Sequence, residues 1–237
     1  MRFDGRTVLV AGGTGALGRS VVHAFLAEGA VVVVAGRREA ELGPVAAAAG
    51  PAAARLHFVQ ADVSEPAGAE SAVAAAAVKG PLRAVVNAVG GWAGGAPVQA
   101  EGPEVLGRML SLNLAPGYHL LRAALPVLLE GGGAFVEVVS LAALGPQPGQ
   151  AAYAASKAAA LAVVLAAAEE VRGRGVRVNA VLPGTMDTEA NRRAMPAADR
   201  AGWVSTRAVA SAILYLCSDE AAGVTGAAVP VTAGASA

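Results

Sequence analysis

Ser140, Tyr153 and Lys157 stand 13 and then 4 residues apart, and each brings a different proton-handling group. On a helix, positions i and i+4 share a face, so the Tyr153 phenol and the Lys157 ammonium project together. A free phenol titrates near about 10 and is a weak acid–base catalyst at neutrality. An adjacent ammonium favours the phenolate and draws that value toward the working range. A serine hydroxyl at a strand end, as at Ser140, can hydrogen-bond an oxygen that is gaining negative charge. The three describe a device for passing a proton to or from a carbonyl or alcohol oxygen. Lys157 is one of only two lysines in a chain that otherwise uses arginine, consistent with a need for a compact ammonium there.

A second group lies near the start of the chain. Gly12, Gly15 and Gly18, with Thr14, Ala16 and Leu17 between them, follow the apolar run 7–11 and open an amphipathic stretch. Glycines in that setting permit a tight turn and let backbone N–H groups approach a pyrophosphate at the positive end of a helix. A chain with 30 glycines produces such spacings by chance, so the weight comes from the place of this one in a first strand–helix turn. The next apolar run ends at Gly36-Arg37-Arg38, without the acidic side chain that would hold the ribose hydroxyls of NAD. Arg37 and Arg38 meet the positive end of the following helix, which is unfavourable unless an anion is present. The 2′-phosphate of NADP suits a guanidinium fork, and the sequence therefore predicts NADPH over NADH. The contrasting reading is a solvated arginine pair. Asp62, followed by Val63 at the end of a third strand, either accepts from the adenine amine or caps the next helix.

These residues require a particular frame. Strands are predicted over 7–11, 30–35, 56–60, 84–88, 134–139, 176–181 and 227–231. Helices are predicted over 16–28, 38–49, 65–79, 103–129, 151–172 and 205–217, the fourth interrupted at Pro116 and Gly117. A loop rich in glycine and proline, including Pro146, precedes the helix at 151, and the stretch 183–203 has no regular period. Alternation of this kind implies parallel strands with right-handed crossovers. The expected fold is α/β: a single doubly wound, Rossmann-type domain over 1–237 with a seven-stranded parallel sheet. Ligands of such sheets lie off the carboxyl ends of the strands, where Gly36, Asp62, Gly90, Ser140 and Pro183 all fall. Residues 183–204 are the expected substrate loop.

Bulk properties exclude several function classes. With 18 basic and 18 acidic residues and 4% aromatics, the chain carries no footprint for nucleic acid or an anionic membrane. Cys217 is the only cysteine, and His23, His57 and His119 lack ligand spacing, so neither a disulfide nor a metal centre is expected. The first residues lack the apolar core of a signal peptide. The apolar run 158–168 is too short to span a bilayer before Glu169 and Glu170, so a cytoplasmic location is expected. That run is apolar nearly all round, which leaves one face in need of a partner and points to a homodimer or homotetramer. Trp92 and Trp203, the only tryptophans, lie in loops at the substrate edge, placed either to stack on a flat heterocycle or to anchor those loops.

Over essentially its whole length the chain resembles the short-chain dehydrogenase/reductase family. The segments that carry the resemblance are Gly12-Gly13-Thr14-Gly15-Ala16-Leu17-Gly18, Asp62-Val63, Asn87-Ala88-Val89-Gly90, Asn113, Ser140, Tyr153-Ala154-Ala155-Ser156-Lys157, Asn179 and Pro183-Gly184-Thr185-Met186-Asp187-Thr188. The resemblance implies Tyr153 as general acid/base and Ser140 as the group that orients the carbonyl. It implies that Lys157 lowers the phenol's pKa and that Asn113 holds a relay water. Thr188 and the backbone around Met186 are implied contacts of the nicotinamide carboxamide, with Asn87, Gly90, Pro183 and Thr185 also lining the cofactor. Asn113 lies beside the break at Pro116 and Gly117, where a carbonyl would be freed for that water.

Two segments depart from the main pattern: Ala16 replaces the middle glycine of Gly-x-x-x-Gly-x-Gly, and Asn-Asn-Ala-Gly becomes Asn87-Ala88-Val89-Gly90. With the loops around Trp92 and Trp203, these resemble the dihydropteridine reductase branch, which reduces a quinonoid pterin. Gly36, where that branch carries an acid, and Ser140, which it lacks, fit a general carbonyl reductase instead. The expected activity is NAD(P)H-dependent hydride transfer to a small-molecule carbonyl, or the reverse alcohol oxidation. Pterin reduction and a non-catalytic dinucleotide sensor are the alternatives.

Overall fold

The computed structural model describes residues 1–145 and 147–233; Pro146 of the glycine- and proline-rich loop lies outside them. In chain order the elements are β1 (Thr7–Ala11), α1 (Ala16–Ala27), β2 (Val31–Gly36), α2 (Gly43–Ala49), β3 (Leu56–Gln60), α3 (Pro66–Ala77), β4 (Leu82–Asn87), α4 (Val105–Asn113) and α5 (Ala115–Gly131). They continue with β5 (Gly133–Val138), α6 (Ala151–Glu170), β6 (Val176–Pro183), β7 (Met186–Asp187), α7 (Glu189–Ala194), β8 (Val204–Ser205), α8 (Thr206–Cys217) and β9 (Ala228–Val231).

Seven strands form a parallel sheet in the order β3-β2-β1-β4-β5-β6-β9, so the expected α/β, doubly wound architecture is observed. The strand interiors are runs of valine and alanine because both faces are covered. On one face Val8, Val10, Val32, Val34, Val86 and Val136 pack with Val21, Val22 and Phe25 of α1 and Ile213 of α8. On the other, Leu9, Val33, Val85, Phe135 and Val178 pack with α3, α5 and α6. Strand order reverses beside β1, between its neighbours β2 and β4, the place where such sheets open a crevice. Register ties the floor of that crevice together: Ala11 pairs with Asn87, Asn87 with Glu137 and Glu137 with Ala180.

Four expectations are corrected. The helix expected over 38–49 begins as a 3-10 turn, Glu39–Leu42, and α2 starts only at Gly43. Pro44 sits in the first turn of α2, where its missing N–H is tolerated, and it cannot lie deeper inside a longer helix. The helical region expected over 103–129 with an interruption at Pro116 and Gly117 is interrupted, but earlier, at Leu114, between α4 and α5. Pro116 has no N–H for the Leu112 carbonyl, and the ladder resumes with the Tyr118 N–H on the Leu114 carbonyl, 3.0 Å. The stretch 183–203 is not wholly irregular, since β7 pairs with β8 and Thr188 caps α7 by accepting the Asn191 N–H at 3.2 Å. Elements this short hold too few residues to show a period. Finally, the expectation that the apolar run 158–168 is too short to span a bilayer counted only part of α6, a 20-residue helix that passes by length and composition alone, as buried core helices also do. The buried stripe of α6, including Ala152, Ala160, Val164 and Ala168, lies inside the fold.

Candidate active site

The glycine turn between β1 and α1 has the shape of a phosphate cradle. Gly12 takes φ +74°, and a Cβ there would lie 3.0 Å from the backbone of Ala88. A Cβ at Gly18 would fall 2.0 Å from the Gly12 carbonyl, so only glycine lets the first turn of α1 pack down on the strand end. Gly15 caps α1 without any side-chain bond, which leaves the N–H groups of that turn unclaimed by a side chain of the chain itself. These residues fit a dinucleotide pyrophosphate, the backbone lying bare where the anion must come close. Ala16 and Leu17 follow in that same turn, Ala16 exposed and Leu17 buried.

Beside the turn, the Thr14 hydroxyl donates to Glu41 at 3.1 Å, and Arg38 is ion-paired with the same carboxylate. The expected uncompensated arginine pair is therefore corrected: Glu41 supplies an internal anion to Arg38. Arg37 remains exposed. The Asp62 carboxyl lies below the usual range, chiefly because the Ser64 hydroxyl and N–H donate to it, at 2.6 and 3.0 Å, with Arg37 adding to the effect. Asp62 is not the cap of α3, whose first turn is preceded by Glu65. Val63 is buried beside it. At the end of β2 a Cβ on Gly36 would meet the Phe58 ring at 3.2 Å.

The residues expected to react gather at the carboxyl ends of β4 and β5. Ser140 follows β5, and its Oγ accepts the Ala142 N–H at 3.2 Å, which holds the hydroxyl at the strand end. Burial raises the Tyr153 phenol above its ordinary value, and a hydrogen bond with Ser140 opposes that rise. Lys157, only 4% exposed, donates from Nζ to the Val138 carbonyl at 2.9 Å. Desolvation is the larger influence on the phenol here, and the ammonium expected to act on it is bonded to the carbonyl at the end of β5. Burial also lowers the lysine, opposed by the charge of Glu137.

Asn113 is fully buried and bridges elements. Its Oδ1 accepts the Gly91 N–H at 2.9 Å, and its Nδ2 donates to Ser156 Oγ at 3.0 Å. Ser156 in turn donates to the Tyr153 carbonyl at 2.7 Å. The amide therefore ties α4 to the 90–91 loop and to α6, and its backbone carbonyl lies in the gap between the ladders of α4 and α5. Gly90 closes the group, since a Cβ there would be 3.0 Å from Asn113 Oδ1 and 3.2 Å from Lys157 Nζ. Asn87, expected among the cofactor contacts, is instead buried with both ends of its amide occupied. It donates to Glu137 at 2.8 Å and accepts the Val89 N–H at 3.1 Å, so its part is to hold the 88–90 turn.

Pro183 ends β6, and the Thr185 carbonyl accepts the Val204 N–H at 2.9 Å. The Met186 carbonyl accepts from Thr188 N and from Asn191 Nδ2 at 2.9 and 2.8 Å. Trp92 is 56% exposed and bonds Gln150 through its indole N–H at 3.0 Å, joining the loop after β4 to the start of α6. Trp203 carries the Arg200 guanidinium over its ring at 5.8 Å. The Trp92 bond joins two segments, whereas the Trp203 contact stays within its own turn. Glu137 was not singled out by the sequence reading. The available signal was one carboxyl in the otherwise apolar run Ala134-Phe135-Val136-Glu137-Val138-Val139, which a doubly covered strand has no reason to carry without a partner.

Comparison with known proteins agrees with this geometry. The chain is 31% identical over 243 residues to the 2,5-dichloro-2,5-cyclohexadiene-1,4-diol dehydrogenase LinX of Sphingobium indicum, covering 98% of this chain and 97% of that one. It is 30% identical over 255 residues to the meso-2,3-butanediol dehydrogenase of Serratia marcescens, covering 100% and 97%. A solved short-chain type dehydrogenase/reductase from Mycobacterium ulcerans superimposes with a TM-score of 0.91 at 29% identity, covering 98% of this chain and 90% of that one. The pattern of the short chain dehydrogenase family matches residues 6–199. With a glycine cradle, a buried lysine and a Ser–Tyr pair at the ends of one parallel sheet, this chain belongs to the short-chain dehydrogenase family and is an NAD(P)-dependent oxidoreductase of small molecules.

Proposed function

We propose that the protein interconverts a secondary alcohol and its ketone, with NADPH as the preferred reductant and Tyr153 as the proton donor. What supports this reading is that Ser140 lies near enough to the Tyr153 phenol to oppose the rise that burial gives it, with Lys157 buried and its ammonium on the Val138 carbonyl at the end of β5. When bound, the reduced nicotinamide supplies hydride to the carbonyl carbon. Ser140 orients the carbonyl oxygen and steadies its developing charge. Tyr153 gives its proton to that oxygen, and Lys157 limits the charge left on the phenol. The carbonyl of Asn113 is placed to accept from a relay water. Gly12, Gly15 and Gly18 with Thr14 hold the pyrophosphate, and Thr188 with the Met186 backbone meets the carboxamide. Arg37, beside a strand end that lacks an acid at Gly36, takes the 2′-phosphate.

Two relatives are named for diols, which supports alcohols bearing a neighbouring or ring hydroxyl as first substrates. The test is a spectrophotometric screen with NADP(H) and NAD(H) against 2,3-butanediol, cyclic diols, small ketones and quinonoid dihydropterin. Tyr153→Phe is expected to lose at least about 100-fold in kcat on any substrate found, the usual worth of a positioned acid. A Tyr153→Phe protein with unchanged turnover would overturn the assignment. Turnover of the pterin alone would favour the reading suggested by the loops.

The same reading includes a second copy of the chain on the outer face of α6, giving a homodimer or homotetramer in the cytoplasm. Ala155, Ala158, Ala162 and Ala166 are exposed there beside Leu165.

A further inference from the structure

Strand β5 carries Glu137 on the face packed against α5 and α6, where its neighbours are apolar. Glu137 is 1% exposed, and among the described residues one of its oxygens is bonded: Oε1 accepts from Asn87 at 2.8 Å, while Oε2 has no partner there. Space for Oε2 is made by Gly117, since a Cβ there would lie 2.5 Å from it. A buried carboxyl left half-bonded is strongly unfavourable without a compensating role.

Facing it are Asn87 from β4, Ala180 from β6, Gly117 and Tyr118 from α5, and Lys157 from α6. Lys157 is the charged group among them. The two are not ion-paired among the described residues, but the ammonium is bonded to the carbonyl of Val138, the residue next to Glu137. In a medium of low dielectric the attraction between such neighbouring charges decides which protonation state each group holds. Asn87 carries the link onward, because the amide that holds Glu137 also holds the 88–90 turn against Lys157 and Asn113.

We propose that Glu137 is a positioning residue of the reacting pair: through Asn87 and the 88–90 turn it holds the surroundings of Lys157, and once its own carboxyl has ionised it favours the charged lysine, so that Tyr153 can exchange its proton. This rests on the reading of Tyr153 and Lys157 given above. As the carboxyl ionises it raises the proton affinity of Lys157, and with it the fraction of Tyr153 that can exist as phenolate.

Only Lys79 and Lys157 are lysines, so a protein labelled with 13C at lysine Cε gives two signals, assigned with Lys79→Arg. In the wild-type protein the Lys157 signal is expected to show a second inflection near pH 8, where Glu137 ionises. In Glu137→Gln that inflection disappears and Lys157 loses its proton at least about one pH unit lower, a tenfold drop in proton affinity. A Lys157 titration with one inflection, at the same pH in both proteins, would overturn the inference. The wild-type curve alone serves if the variant does not fold.

Where a secondary alcohol is oxidised, Glu137→Gln is expected to lower kcat, leave KM near its wild-type value and move the rising limb of the pH profile upward. An unmoved profile would speak against the inference as plainly as an unmoved lysine. The lysine titration needs no turnover. Its failure counts against Glu137 alone, whereas a normal shift with no turnover on any alcohol counts against the proposed reaction.

Discussion

Burial moves the Glu137 carboxyl from 4.5 up to about 8, and the sign of its effect on stability follows from linkage. A group that binds its proton more tightly when folded contributes stability fully present below its unfolded value. That contribution fades as pH rises through the folded value. For Glu137 the window runs from about 4.5 to about 8. Glu137→Gln cannot ionise, so its melting temperature should gain on the wild type across that window. A gain of at least about 3 °C is expected, the response of a chain this size to ~1 kcal/mol. Thermal unfolding followed at pH 5 and pH 8.5 checks it, and an equal difference at the two ends would show that the carboxyl is not raised. Tyr153 and Lys157 were legible as residues from spacing alone. Their burial, which raises the one and lowers the other, was not, because desolvation depends on neighbours from distant parts of the chain.

Local elements decide the cofactor end. The end of β2, the 3-10 turn after it and the first turn of α1 bring Arg37, Arg38, Glu41 and Thr14 into one corner. Glu41 neutralises Arg38, so the two arginines that looked equivalent in sequence are not equivalent in the fold. Arg37→Ala is therefore expected to weaken NADPH binding at least about tenfold, ~1.4 kcal/mol, and to leave NADH binding nearly unchanged. Fluorescence titration with both nucleotides measures this, and equal weakening of the two would remove Arg37 as a phosphate ligand. The pairing of Glu41 with Arg38 escaped the sequence reading because Pro44 delays α2 and turns residues 39–42 into a tighter helix, which changes which side chains meet. Strand spans were read more closely, since valine runs bounded by glycine and charge leave little ambiguity.

At the scale of the molecule, one side of the fold stays unfinished. Leu165 on α6 is 40% exposed, with Leu106 on α4 and Tyr118 on α5 exposed by about half, and the other exposed residues of α6 before Glu169 are alanine. A helix apolar on two sides is stable in water when a second surface covers the outer one. Leu165→Glu is expected to convert the assembly to a smaller species in sedimentation velocity, with little change in the far-ultraviolet spectrum. A wild-type protein that sediments as a monomer would end the argument for a partner copy.

Local chemistry was determined by the residues themselves: glycines where backbone must lie bare, a phenol and an ammonium one turn apart, a serine at a strand end, and strands that alternate with helices. These depend on covalent geometry and on neighbours a few positions away. Which charges meet was decided only in three dimensions. Parallel register across β1, β4 and β5 brings Asn87 beside Glu137, and the packing of α6 sets Lys157 on the carbonyl of Val138, next to Glu137. Glu137 and Lys157, on different elements, come to titrate in dependence on each other because the packed sheet and helix exclude water around them, and no local pattern encodes that.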